Sequence, residues 1–208
     1  MADWSAALHS PRTWLSAMTA VGVIGGWLAI THAAESDWWT HRSLSRLGVD
    51  AGASGFLNAT LVVLGLILVA LAISLDGTLA SLSSAGRLSS KARWRLRAGL
   101  VAAGVAVVLS GVFRNEGQLP HLIHNLAGFG APALLVSTLI GGRWAVGDLG
   151  CRFDRESIAI LVVCVGLFTA AYGGHLIPYA VMELACFGLI GSWLWLFEAR
   201  LQGIVGQP

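Results

Sequence analysis

The stretch GFLNATLVVLGLILVALAISL at residues 55–75 decides the fold class of this chain. It contains no charged residue. A helix needs about 20 apolar residues to cross the hydrocarbon core of a bilayer. Inside lipid, every backbone N–H and C=O must be satisfied within the segment, so the α-helix is the conformation that fits such a run. The stretch therefore predicts a membrane-spanning helix.

Five further runs of this kind extend the pattern to the whole chain. The sequence is 56% hydrophobic and 12% charged, whereas soluble domains carry about 25% charged residues. We predict an all-α fold, an integral membrane bundle of six transmembrane helices that forms one domain over residues 1–208. The net charge of +2 is too small to indicate a nucleic-acid partner. The predicted spans lie near 13–32, 55–75, 97–113, 120–142, 157–174 and 178–198.

Basic residues between the spans predict the orientation. With the N-terminus in the cytoplasm, ten basic residues fall inside and three fall outside, namely Arg42, Arg46 and Arg114. The excess of cations on one side predicts that both termini are cytoplasmic. Twelve of the thirteen basic residues are arginine, which together with abundant alanine and glycine is typical of a high-GC bacterial genome. We therefore expect the protein in a bacterial plasma membrane. The ten inside are Arg12, Arg87, Lys91, Arg93, Arg95, Arg97, Arg143, Arg152, Arg155 and Arg200.

The segment SLSSAGRLSSKARWRLR at residues 81–97 carries five of these cations. Each cation near an anionic leaflet contributes about 1 kcal/mol of attraction. An ordinary basic loop on the cytoplasmic side explains the segment most simply. A specific lipid or partner site is the alternative.

Polar residues gather at the opposite, outer side of the predicted bundle. Glu183, five residues past Pro178, is the one acid that we place inside an apolar run. A buried, unpaired acid costs several kcal/mol, so Glu183 needs a partner. His175, His121 and His124 are the candidates. Five of the six histidines fall on or near this side, namely His32, His41, His121, His124 and His175.

Three interpretations of these residues stay open. In the first, the histidines and Glu183 hydrogen-bond at helix ends and fix the packing. In the second, His121, His124, His175 and Glu183 supply three nitrogens and a carboxylate to a zinc ion, which would activate water. In the third, His and Glu titrate near neutral pH, or hold a lipid phosphate or amine.

The segment NEGQLPHLIHN at residues 115–125 predicts a helix start before it predicts a site. Asn115 and Gln118 have the spacing of a capping box, and Pro120 would occupy an early helical position, where its missing N–H costs little. Small residues four apart predict close helix packing. These pairs are Gly22 with Gly26, Gly55 with Ala59, Ala127 with Ala131, and Gly188 with Ser192.

Residues 41–140 carry a resemblance to a known family. The segments SLSRLGVDAGASGFLNATLVVLGLILVALAISL and RLRAGLVAAGVAVVLSGVFRNE, followed by a histidine at the head of the fourth predicted helix, resemble the DUF998 family of multi-pass bacterial membrane proteins. More remotely, they resemble the Frag1/DRAM/Sfk1 type of six-helix protein. The positions that match best are Ser43, Ser45, Asn58 and His121 or His124. Arg46 stands where the family turn often has an acid.

The resemblance implies no established activity, because DUF998 has none, but it links the remote relatives to lipid organisation and partner proteins. We expect a non-enzymatic protein that acts through membrane lipids or a membrane protein partner, without a metal cofactor. A zinc hydrolase acting on lipid or envelope substrates at the outer face is the alternative. Asn58, His121, His124, His175 and Glu183 are the candidate site residues of this outer cluster. A transporter is disfavoured, because the inner halves of the predicted spans offer almost no buried polar groups.

Overall fold

A computed structural model describes residues 10–33, 37–41, 43–114, 117–145 and 150–205. The described residues form helices without any strand, and six of the helices are long and apolar enough to cross a membrane. This confirms the predicted all-α fold and the number of spans. The helices are α1 (Pro11–Thr31), α2 (Trp38–His41), α3 (Leu44–Leu47), α4 (Ser54–Ser84), α5 (Ser90–Val112), α6 (Gln118–Ala145), α7 (Gly150–Tyr172) and α8 (Tyr179–Val205).

The six long helices do not contribute equally to the packing. The α4–α5 and α5–α6 pairs are packed most extensively, and α1 lies against α4. Helix α7 packs mainly against α8, which in turn contacts α1 and α4, while α7 barely touches α6. The fold is therefore a packed group of α1, α4, α5 and α6, joined by an α7–α8 hairpin that attaches through α8.

Glycine allows α4 and α5 to approach each other at backbone distance. A methyl group built at Gly104 would lie 2.8 Å from the carbonyl oxygen of Gly65, and one built at Gly65 would lie 2.5 Å from that of Gly104. Gly111, seven residues after Gly104, meets the carbonyl oxygen of Asn58, seven residues before Gly65, in the same way. Small residues permit such contact where no hydrophobic force drives helices together in lipid.

Only some of the predicted small-residue pairs lie at contacts between helices. Ala127 and Ala131 are buried with Ala106 between α5 and α6, as predicted. By contrast, side chains added at Gly26, Gly55 or Gly188 would meet open space.

Side-chain contacts divide the bundle into two ends. At one end, Arg12 at the start of α1 binds Glu198 near the end of α8, and Arg87 donates to the carbonyl oxygen of Ile204. We call this the basic end. At the other end, which we call the histidine end, His124 on α6 reaches the last turn of α5.

Large apolar side chains are exposed around the whole bundle, as expected for a surface that faces lipid. Examples are Ile24, Trp27, Leu66, Ile73, Val105, Val162 and Phe187.

Helices α4 and α8 continue past their predicted ends at 75 and 198, reaching Ser84 and Val205. The cause is that acids near those limits are paired. Asp76 accepts two hydrogen bonds from Arg93, at 2.9 and 2.7 Å, so the helix can carry this charge. Glu198 is only 2% exposed, and both of its carboxylate oxygens lie 3.3 Å from Nε of Arg12. The expectation that Glu183 is the one acid within an apolar segment was therefore wrong, because Glu198 is buried near the end of α8.

Candidate functional site

His124 is the most deeply buried of the candidate residues, with 6% of its surface exposed. Its Nδ1 lies 2.8 Å from the carbonyl oxygen of Ser110 and 3.0 Å from that of Phe113. Both neighbours are acceptors, so Nδ1 carries the proton and donates it. The last carbonyl groups of a helix have no partner within the helix. His124 satisfies that of Ser110 in the last turn of α5, together with that of Phe113, the residue that follows the helix. This side chain joins α6 to α5.

His121 and His124 are three residues apart, but their environments differ. His121 is exposed, and its Nε2 accepts a hydrogen bond from the Asn125 amide at 2.9 Å. His175 is also exposed; it lies in the turn between α7 and α8 with a φ of 50°, and its Nδ1 is 3.1 Å from the hydroxyl of Tyr179. These two imidazoles interact with their own helix or turn.

Glu183 lies in the second turn of α8, which begins at Tyr179 directly after Pro178. The backbone N–H of Leu44 donates to Glu183 Oε2. Leu44 is the first residue of the short helix α3, so the carboxylate satisfies an N–H that has no partner within that helix. The partner expected from the sequence was a histidine, whereas the structure shows a hydrogen bond from this backbone amide.

Asn58 lies next to the turn SRLG at residues 45–48, which is part of the segment that resembles the DUF998 family. The Asn58 amide donates to the carbonyl oxygen of Gly48 at 2.9 Å, which fixes the start of α4 to the end of α3. The side-chain oxygen of Asn58 is buried without a hydrogen-bond partner within the described chain. Ser43 and Ser45, before and within α3, share a hydrogen bond at 2.7 Å. Asn115, the predicted cap of α6, lies outside the described residues, while Pro120 does occupy the first turn of that helix.

The candidate residues thus make separate contacts at the histidine end. His124 joins α6 to α5, Glu183 joins α8 to α3, and Asn58 joins α4 to the turn before it. In a neutral imidazole, a proton on Nδ1 leaves Nε2 as the nitrogen that could bind a metal ion. In the described part of the chain, however, no three His, Cys, Asp or Glu side chains are grouped so that they could hold a metal ion.

Ion pairs at the basic end are the polar contacts that the sequence did not reveal. They are Arg12 with Glu198, Arg93 and Arg97 with Asp76, and Arg200 with Glu156. The only signal in the sequence was an acid at one end of three of the predicted runs, 55–75, 157–174 and 178–198. One chain cannot show which cation on another helix lies next to that acid.

We find no match for this chain among protein-family models, curated proteins or solved structures. The resemblance to DUF998 rests on the quoted segments, and the function must be argued from the geometry.

Proposed function

We propose that this protein is a non-enzymatic, multi-pass protein of a bacterial plasma membrane, with both termini in the cytoplasm. It acts through membrane lipids or a membrane protein partner, as an accessory subunit of a larger assembly. The membrane location is supported by the six apolar helices, and the orientation by the ten-to-three distribution of cations.

The observation that carries this proposal is the position of α7. Only 6% of the residues in the apolar segment of α7 are buried within the protein, compared with 39% in that of α5. Val162 and Val165 are 62% and 56% exposed, and α7 barely contacts α6. Where one span of a bundle packs mainly against a single neighbour, its remaining surface can pack against another transmembrane helix or lipid through van der Waals contact.

The polar residues support the same proposal. His124, Glu183 and Asn58 each have a partner that fixes a helix end, so their polarity has a structural explanation. The cavity between α6, α7 and α8, lined by Leu135, Ile160, Cys164 and Trp193, measures about 40 Å³. Pockets that bind small ligands measure about 300–1,000 Å³. This cavity is therefore too small for a lipid substrate, and the structural contacts of the polar residues support a role in association.

The test compares two glycines that both face open space, Gly166 on α7 and Gly26 on α1. The tagged wild type, Gly166→Phe and Gly26→Phe are solubilised in mild detergent, and the mass of each particle is measured by native mass spectrometry. We expect the wild type and Gly26→Phe to carry a second protein chain that Gly166→Phe has lost. A wild type that is a homogeneous single chain and hydrolyses a lipid or envelope substrate would overturn the proposal.

A further inference from the structure

The five cations between Arg87 and Arg97 do not all have the same surroundings. Arg87 donates to the carbonyl oxygen of Ile204 at 3.0 Å. Arg93 and Arg97 bind Asp76, at 2.7 and 3.4 Å. Lys91 and Arg95 are exposed, and neither has a hydrogen bond or ion pair with the described part of the chain. Two of the five cations thus have no partner among the residues that the structure describes.

These two cations share a surface with an exposed tryptophan. Lys91 and Arg95 are four residues apart on α5, so they are neighbours on one side of the helix. Trp94, three residues from Lys91, is 69% exposed. We call Lys91, Trp94 and Arg95 the cationic face. The adjacent sides of the same two turns are occupied, because Ala92 and Leu96 are buried in the core.

Three acids whose side chains the structure describes at the basic end are each bound to a cation other than Lys91 or Arg95. Glu198 binds Arg12, Glu156 binds Arg200, and Asp76 binds Arg93 and Arg97. The first turn of α5 also adds partial positive charge, since unpaired N–H groups lie at the start of a helix. The local field therefore favours an anion.

The depth of the cationic face matches the surface of the bilayer. Helix α5 ends at Val112, and about 20 residues of helix span the hydrocarbon core. Counting back from Val112 places the boundary of the core beside Ala92. Tryptophan is enriched at this level, where its ring lies among lipid headgroups. Lys91 then lies at this boundary, and Arg95 lies about one turn inside it, from where its long side chain can extend to the lipid phosphates.

We propose that the cationic face binds the phosphate of an anionic phospholipid in the leaflet at the basic end, with Trp94 against the glycerol region. This names a lipid class for the proposed function and rests on its lipid branch. One bound phosphate contacts both cations, while the acyl chains lie along the exposed apolar surface of α5, which includes Val105.

The test uses the purified full-length chain in detergent, with native mass spectrometry to count bound lipids. Phosphatidylglycerol and phosphatidylcholine with the same acyl chains are titrated separately. Each cation contributes about 1 kcal/mol, which corresponds to about a fivefold change in affinity. Since Lys91→Ala/Arg95→Ala removes two cations, we expect it to bind phosphatidylglycerol roughly 25-fold more weakly. Binding of phosphatidylcholine should not change.

Two controls separate the cationic face from total charge and from misfolding. Arg46→Ala/Arg114→Ala removes two exposed cations from the histidine end and should bind phosphatidylglycerol like the wild type. Lys91→Arg/Arg95→Lys keeps both charges and should also bind like the wild type. Equal loss in both alanine pairs, or no preference of the wild type for phosphatidylglycerol, would overturn the proposal.

Inorganic phosphate, added at constant ionic strength, distinguishes a lipid site from a site for a soluble anion. We expect phosphate at millimolar concentration to leave phosphatidylglycerol bound; complete displacement would overturn the assignment to lipid. The proposed function is tested by a different measurement, the complex formed by the wild type and by Gly166→Phe. If lipid selectivity is absent while the wild type still forms a complex that Gly166→Phe disrupts, this inference fails and the proposed function stands.

Discussion

Replacing His124 separates a structural role from a metal-binding role at the histidine end. His124→Ala removes the donor to the carbonyl oxygens of Ser110 and Phe113, which lie at 2.8 and 3.0 Å. The lost hydrogen bond contributes about 1 kcal/mol, and leaving a buried carbonyl unsatisfied costs about 1–3 kcal/mol more. The missing ring also leaves a void. We expect the free energy of unfolding to fall by about 3 kcal/mol.

Two matched variants make this prediction specific. His121→Ala removes an exposed imidazole three residues away and should change the free energy of unfolding by less than about 0.5 kcal/mol. His124→Asn places an amide nitrogen close to the position of Nδ1. It should therefore recover about half of the loss, since the donor is restored while the void remains.

The assay is unfolding in mixed micelles by titration with a denaturing detergent, followed by tryptophan fluorescence. Equal destabilisation by His121→Ala and His124→Ala would refute the reasoning, because only His124 caps α5. So would a His124→Asn variant as unstable as His124→Ala, since a carbonyl acceptor requires a donor and not an imidazole.

Two further substitutions test the packing by the same unfolding assay. Gly104→Ala should lower the free energy of unfolding by about 1–3 kcal/mol, because its methyl group would lie 2.8 Å from a backbone oxygen of α4. Gly188→Ala faces open space and should raise the free energy of unfolding by about 0.5–1 kcal/mol. A change of the same sign in both variants would contradict the close α4–α5 contact. Arg12→Leu should lower the free energy of unfolding by about 3 kcal/mol, because it leaves the Glu198 carboxylate buried without its cation. This is the lower end of the range for a broken buried pair, since Arg12 itself is largely exposed. Arg12→Leu/Glu198→Leu should recover most of this loss. Additive losses in that double variant would show that the two side chains are not coupled.

The helices could be predicted from the sequence because lipid imposes one requirement on every span. A run of about 20 apolar residues has few alternatives to a helix, and all six such runs are helical. The ends were harder to predict. A charge at Asp76 ends an apolar run, but it does not end a helix when Arg93 of the next helix binds it.

The partners of the polar residues could not be predicted for a related reason. The spacing of His121 and His124 places them on the same helix, but it does not show that one is buried against α5 and the other is exposed. Likewise, the backbone amide of Leu44 leaves no signal in the sequence as a partner for Glu183. The contact between Gly65 and Gly104 was also missed, because spacing within one helix does not show which residue of the next helix it meets.

The central claim is that the polar residues at the histidine end hold helix ends together and do not form a metal centre. Elemental analysis of the detergent-purified wild type, beside His124→Ala and His121→Ala, tests it most directly. We predict less than about 0.1 zinc per chain in all three proteins, since a bound structural or catalytic ion would be stoichiometric. About one zinc per wild-type chain, lost in both variants, would contradict the account and favour the zinc hydrolase.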